Sequence, residues 1–227
     1  MNNSKIKLIE VMNTFQGEGP DSGRQMLLVR FKRCQFRCNF CDTEIKMQTS
    51  IEGEYSTDQI NQALMKTKGL MVTGGEPGFD SEDNKNFQQT MYLLKECNFE
   101  VANVETNGLQ IEQFLSEIEQ FVSDKNIKLI YSPKIFNIAS LETEWQKIEK
   151  VINNPRVYLK IVPVNLPTET LCRRISIILD IPKHKVYLMP QGTTKEEIVS
   201  NWDKTINLAD ECGFNLSSRL HIVHNFT

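Results

Sequence analysis

No apolar run in these 227 residues approaches the roughly 20 residues that a membrane-spanning helix needs, so the sequence encodes no such helix. An excess of charge of one sign is also lacking. Lys and Arg number 26 against 29 Asp and Glu, the two signs are interleaved, and the formal net charge is −3. That balance leaves no basic footprint for a phosphate backbone or an anionic lipid surface, and argues against direct nucleic-acid or membrane partners. The N-terminal Met1-Asn2-Asn3-Ser4-Lys5-Ile6 has neither an apolar core segment nor a small-residue cleavage site, which predicts a cytoplasmic protein. Low-complexity tracts and long linkers are absent too. With 40% hydrophobic and 24% charged residues, composition is that of a soluble globular chain. Its length suits one domain spanning 1–227.

What is present is an alternation of strand-like and helix-like segments. Ile6 to Thr14 and Met26 to Phe31 read as strands around the turn Gln16-Gly17-Glu18-Gly19-Pro20. Ser56 and Gln59 have capping-box spacing for a helix from about Thr57, and Leu70 to Thr73 reads as a buried strand. Helix and strand then repeat: Asn86 to Glu96, Phe99 to Val104, Ile111 to Val122, Ile127 to Tyr131, Leu141 to Ile152, Val157 to Val164. A helix after Thr168, the strand Val186 to Met189, a helix opened by Thr194 and Glu197, and a last strand near Leu220 to Val223 complete the pattern. This predicts an α/β fold of parallel strands joined by helical crossovers, with too few units for a full eightfold barrel and so an incomplete, TIM-like one. In such folds ligands sit at the C-terminal ends of strands. Five segments are expected there: the cysteine loop, Thr73-Gly74-Gly75-Glu76-Pro77, Glu105-Thr106-Asn107-Gly108, Ser132-Pro133-Lys134 and Pro190-Gln191-Gly192.

Three of the six cysteines crowd into Cys34-Gln35-Phe36-Arg37-Cys38-Asn39-Phe40-Cys41, a C-x3-C-x2-C spacing. Without a secretory context, metal binding explains them better than disulfides. No fourth cysteine is near enough in sequence to complete a local set. A polynuclear iron–sulfur centre held by three thiolates keeps one open iron, whereas a structural zinc site would need a distant Cys or His as its fourth ligand. Arg33 and Arg37 favour the deprotonated thiols.

This triad, with an aromatic residue before its third cysteine, resembles the cluster motif of the radical S-adenosylmethionine superfamily. The resemblance implies one 4Fe-4S cluster whose open iron is chelated by the methionyl amine and carboxylate, and a 5′-deoxyadenosyl radical made by an electron from the cluster. Gly74-Gly75-Glu76-Pro77, an ordinary turn sequence by itself, resembles the segment that holds the methionyl amine. More narrowly, Phe15-Gln16-Gly17-Glu18-Gly19-Pro20, Arg30 and Cys41-Asp42-Thr43 resemble the 7-carboxy-7-deazaguanine synthase family, as do Thr73, Glu105 to Gly108 and Ser132 to Lys134. That resemblance covers nearly the whole chain, and treats about residues 1–33 as a substrate-binding strand and turn.

The implied reaction is contraction of 6-carboxy-5,6,7,8-tetrahydropterin to 7-carboxy-7-deazaguanine with loss of ammonia. The radical takes hydrogen from C6 and later returns it, and S-adenosylmethionine is regenerated. Implied substrate contacts are Gln16, Gly17, Glu18, Arg30 and Thr73. Implied S-adenosylmethionine contacts are Phe40, Cys41, Asp42, Gly74, Gly75, Glu76, Ser132, Pro133 and Lys134, with Pro190, Gln191, Gly192, Glu105 and Asn107. The implied metal ligands are Cys34, Cys38 and Cys41 for the cluster and Thr43 for Mg2+. No side chain is assigned as a catalytic acid or base. A flavodoxin or ferredoxin as reductant and a homodimer are also implied. The alternatives are an activating enzyme for a glycyl-radical partner, which the Gln16–Pro20 motif and Asp42-Thr43 disfavour, and a non-catalytic metal-binding module.

The remaining candidates have structural readings. Cys97, Cys172 and Cys212 fall in helical stretches and are expected to pack rather than ligate. His221 and His224, three apart on an expected strand, would face opposite sides. The acidic run Gly78 to Asp83 and the tail from His221 to Thr227 depart from the family pattern.

Overall fold

The computed structural model describes residues 5–39, 41, 43 and 48–226. Phe40 and Asp42, both expected near S-adenosylmethionine, lie outside the described residues. The chain forms two compact units, one from the residues up to Phe15 with Arg24–Leu129, the other from Gln16–Gly23 with Ile130 onward.

In the first unit, β1 (Ile6–Leu8) pairs antiparallel with β4 (Gly53–Tyr55). Ile9 separates β1 from β2 (Glu10–Phe15), so the expected single strand from Ile6 is two short ones. Strand β2 runs antiparallel to β3 (Gln25–Phe31). Then β3, β5 (Gly69–Gly74) and β8 (Val101–Thr106) are parallel, with α1 (Thr57–Thr67), α2 (Asn86–Glu96) and α3 (Ile111–Phe121) between and after them. Met26–Phe31, Leu70–Val72 and Val101–Val104 are buried almost throughout, as strands covered on both faces must be. The acidic run 78–83 folds into the small hairpin of β6 (Asp80–Ser81) and β7 (Asn84–Lys85). Asp80 has a purpose there. Its carboxylate accepts from the Phe87 amide (2.9 Å), one of the orphan backbone donors at the start of α2, and from the Gln88 side chain Nε2 (3.1 Å).

Register decides which residues meet at the strand ends. Glu10 lies opposite Arg30, and Arg30 opposite Thr73. Residues directly opposite share a sheet face. Two residues down the strands the same face carries Met12, Leu28 and Met71, which lead into the apolar cluster of Met26, Leu28, Met71 and Val101. A polar row at the C-terminal ends therefore rests on an apolar floor.

Strand β9 (Ile127–Tyr131) begins in the first unit and ends in the second. The second unit contains α4 (Ile138–Val151), β10 (Val157–Ile161), α5 (Leu166–Ile178), β11 (Val186–Leu188), α6 (Lys195–Cys212) and β12 (Asn215–Leu216), with β10, β11 and β12 parallel. The α/β alternation with mostly parallel strands is the expected class. Helix α4 starts three residues before the expected Leu141, because Asn137 and Ser140 form a capping box. Asn165 caps α5, its side chain accepting from the Thr168 amide, so that helix too starts ahead of the expected Thr168.

One expected element is wrong in type. Leu220–Val223 is a helical turn, α7, not a strand. Val223 and His224 donate to the carbonyls of Arg219 and Leu220 (3.0 and 2.9 Å), closing the turn, and Leu220 donates to Gly17 (3.1 Å). A four-residue apolar run carries too little periodicity to separate strand from helix, and its tertiary partners settled the matter. The face argument for the two histidines falls with it. His221 is partly buried beside Gly17 and Glu18, and His224 is exposed.

Phe114 of α3 is fully buried, its ring 4.6 Å from that of Phe87 and in contact range of Gly78. Phe114→Ala should cost about 3–5 kcal/mol, read as a lower urea midpoint at unchanged slope.

Candidate functional site

The cysteine loop leaves the C-terminal end of β3, and the first unit builds a frame around it. Gly75 donates to the Phe31 carbonyl (2.9 Å) and Glu76 to that of Arg33 (2.7 Å), so the Gly-Gly-Glu segment continues the pairing of β5 with β3 past the strand ends. A Cβ on Gly74 would stand 2.3 Å from the Phe31 carbonyl oxygen, and one on Gly75 1.9 Å from that of Arg33. Gly74 also has a φ of +111°. The two glycines are thus required by the close approach of the protein's own backbone, whatever ligand is bound.

Glu76 is buried, 1% exposed, and its carboxylate is engaged within the protein. One oxygen accepts from Thr106 Oγ1 (2.5 Å) and the Gly78 amide (2.8 Å), the other from the Asn107 amide (2.6 Å). Asn107 carries the link onward: its Oδ1 accepts from Gln35 Nε2 (3.0 Å), and its Nδ2 lies 3.8 Å from Cys34 Sγ. Asn86, the first residue of α2, donates to the carbonyls of Arg33 (3.1 Å) and Glu76 (2.9 Å). Sequence reasoning missed Asn86, since nothing in its neighbourhood marks it as more than a helix start.

Cys34 Sγ also accepts from the Phe36 amide (3.4 Å), Cys41 Sγ is 3.4 Å from Thr43 Oγ1, and the Cys41 amide donates to the Cys38 carbonyl (3.0 Å). Among the described residues no three His, Cys, Asp or Glu side chains converge on one metal position; the three thiols share a loop rather than a formed ligand set. The donor chemistry nonetheless suits an iron–sulfur cluster, being three soft sulfurs with N–H groups aimed at one of them. A cavity of about 570 Å³ opens beside them, lined by Lys32, Arg33, Cys34, Arg37, Cys41 and Phe79 among others. Its size is that of a small-molecule site.

Arg30 and Thr73 are brought side by side by register, as described. Arg30 Nε donates to Glu10 (2.6 Å) in a largely buried pair, which holds the guanidinium in place. Glu10 is a second residue that sequence reasoning missed. Glu105 follows Asn103 by two residues on β8 and so faces the same side as its neighbours Met71 and Thr73.

The second unit holds the turn Gln16–Pro20 at the C-terminal ends of β10 and β12. The Gln16 side chain accepts from the Glu18 amide (3.2 Å), and Gln16 is 3% exposed. Lys160 of β10 donates to one oxygen of Glu18 (2.6 Å), and Arg219 Nε to the other (3.1 Å). Burial alone would push the Glu18 carboxyl up. Lys160, then Arg219 and His221, more than reverse this and hold it well below the usual carboxylate range. Ser132 and Lys134 sit together after β9 (3.1 Å), and Gly192, in Pro190-Gln191-Gly192 after β11, accepts a bond from Arg219. Lys160 and Arg219 were also missed by sequence reasoning. The three remaining cysteines are buried, and burial pushes their thiols up, to about 12 at Cys97.

Residues 15–150 match the protein family described as 4Fe-4S single cluster domain. The 7-carboxy-7-deazaguanine synthase of Pyrobaculum aerophilum is 26% identical over 96% of this chain and 94% of its own length. That of Hyperthermus butylicus is 24% identical over 97% and 93%. The crystal structure of QueE from Escherichia coli superposes with a TM-score of 0.60, covering 94% of this chain and 93% of that one at 16% identity, a likeness of fold.

Glu76→Gln puts an amide NH2 against donors on one side of a buried cradle. It should cost roughly 1–3 kcal/mol and lower Tm by several degrees, as read by thermal unfolding. In cluster-free protein at pH 8, iodoacetamide should modify Cys34 and Cys41 and spare Cys97 and Cys172, as mapped by peptide mass spectrometry. Fast labelling of Cys97 would contradict its environment.

Proposed function

The chain belongs to the 4Fe-4S single cluster domain family, and from that premise we propose that it is a radical S-adenosylmethionine lyase converting 6-carboxy-5,6,7,8-tetrahydropterin to 7-carboxy-7-deazaguanine. The product is the compound in its relatives' name. Loss of ammonia accounts for the whole difference in composition between substrate and product, so the conversion consumes no net electrons.

One observation carries this reading: the three-thiol loop, whose Cys34 and Cys41 line a cavity, is tied through Asn107 and Asn86 to the Gly-Gly-Glu segment. Cys34, Cys38 and Cys41 would bind three irons of a 4Fe-4S cluster. When bound with S-adenosylmethionine, that cluster supplies the 5′-deoxyadenosyl radical. The protein's own contribution is positioning. Backbone groups of Gly74 and Gly75, with Glu105, Asn107, Ser132, Pro133, Lys134, Pro190, Gln191 and Gly192, would orient S-adenosylmethionine. Glu76 would join them, its carboxylate also holding the Thr106 and Asn107 end of β8 in place. Arg30, fixed by Glu10, suits a substrate carboxylate, and Thr73 stands beside it. Gln16 and Glu18 suit the donor and acceptor edge of the pterin. Thr43 would offer a hydroxyl oxygen to Mg2+. We read the chain as one domain of incomplete-barrel type, cytoplasmic and homodimeric, reduced by a flavodoxin or ferredoxin.

The test is anaerobic reconstitution followed by assay with reductant, S-adenosylmethionine, Mg2+ and the pterin. About four irons per chain, a brown chromophore and carboxydeazaguanine are expected. Zinc without iron, or deoxyadenosine with no carboxydeazaguanine, would sink the assignment. Arg30→Gln should lower kcat/KM for the pterin roughly 10- to 150-fold, the worth of a charge-assisted contact.

A further inference from the structure

The C-terminal segment from Ser217 to His221 makes a specific set of contacts. It grips the Gln16–Pro20 turn residue by residue. Ser217 Oγ accepts from the Gly19 amide (2.8 Å), the Leu220 amide donates to the Gly17 carbonyl (3.1 Å), and Arg219 Nε donates to Glu18 (3.1 Å). A Cβ on Gly17 would lie 2.2 Å from Nδ1 of His221, so glycine is required there for the two segments to meet. Arg219 also donates from its NH1 to the Gly192 carbonyl, which ties the turn to the loop after β11. From the other side Lys160 reaches Glu18 at 2.6 Å.

This arrangement is more than a surface ion pair. The side chains of Lys160, Arg219 and Glu18 are 8%, 5% and 12% exposed, so three charged groups are held almost out of water around one carboxylate. Exposed pairs of this kind contribute little, whereas a buried pair is retained for geometry or charge state. Each Glu18 oxygen carries a protein donor, and a carboxylate has about four acceptor positions in all. Acceptor capacity therefore remains on both oxygens for a planar ligand edge that offers two N–H groups.

We propose that Lys160 and Arg219 are positioning residues for the pterin: they fix Glu18 in place as a charged, paired acceptor for the ring edge that carries the amide N–H and the exocyclic amine. This rests on the lyase reading above and adds to it two residues that touch Glu18 and not the reacting atoms. The charged groups that act on Glu18 are Lys160 of β10, Arg219 preceding α7 and His221 of α7, whose Nε2 is 3.8 Å away. All favour the carboxylate over the neutral acid. Removing one cation weakens the opposition to burial and raises the Glu18 pKa, so the acid form gains ground as pH falls and the acceptor is lost with it.

The experiment is calorimetric titration of the pterin into reconstituted holoenzyme with S-adenosylmethionine and no reductant, from pH 5 to 8. Wild type is compared with Lys160→Met, Arg219→Gln and Arg219→Lys. The first two should bind at least about tenfold more weakly at pH 7, the loss of one charge-assisted contact. Their affinity should fall further below pH 7, where that of wild type stays flat. Arg219→Lys keeps a charge and should restore the flat profile with only part of the affinity. Should Lys160→Met fail to fold, the double variant Glu18→Gln with Lys160→Met removes both charges together. It should bind weakly at every pH with no acid limb. Wild-type affinity and a flat profile in the folded single variants would overturn the positioning role and leave the lyase reading standing. Wild-type holoenzyme that cleaves S-adenosylmethionine and binds no pterin would overturn both.

Discussion

The carboxylate of Glu76 is 1% exposed, and a charge so far from water persists only where donors replace the solvent. Three donors do so: Thr106 Oγ1, the Gly78 amide and the Asn107 amide. Two of them belong to the end of β8 and one to the loop that follows β5. The position of Asn107, and through it of Gln35 and Cys34, follows from this one buried group. Around it, the carbonyl of Arg33 accepts from both the Glu76 amide and Asn86. The cysteine loop is thereby fixed at its root before any iron binds.

Glu18 is the corresponding, largely buried carboxylate of the second unit. Glu76 accepts from two backbone amides and the Thr106 hydroxyl, and these bonds hold loops in register. Glu18 is satisfied by two cations and carries its acceptor capacity at a place where the turn, the segment after β12 and the loop after β11 come together. Backbone donors make a carboxylate a structural strut; buried cationic partners make it tunable, because substituting one of them changes the proton affinity of the carboxylate.

Much of the site was legible in the chain order alone. The C-x3-C-x2-C spacing is local, the Gly-Gly-Glu segment follows a strand that its apolar run announces, and the loops after β3, β5, β8, β9 and β11 lie where strand and helix alternation places them. Capping boxes at Ser56 and Thr194 were readable because both partners are three residues apart. The box at Asn137 has the same spacing with Ser in place of Glu or Gln, which made it harder to see.

By itself, then, the sequence determined the three-cysteine loop, the α/β class and the residues that contact one another over a few positions, since those depend on spacing and period. Only the tertiary structure decided the partners that lie far apart along the chain. Arg30 met Glu10 through strand register, Glu18 met Lys160 and Arg219 across more than a hundred residues, and Leu220–Val223 became a helical turn because its backbone had Gly17 to bond. A short apolar run has no period long enough to choose its own conformation, and a buried charge has no sequence signal that names its counter-ion.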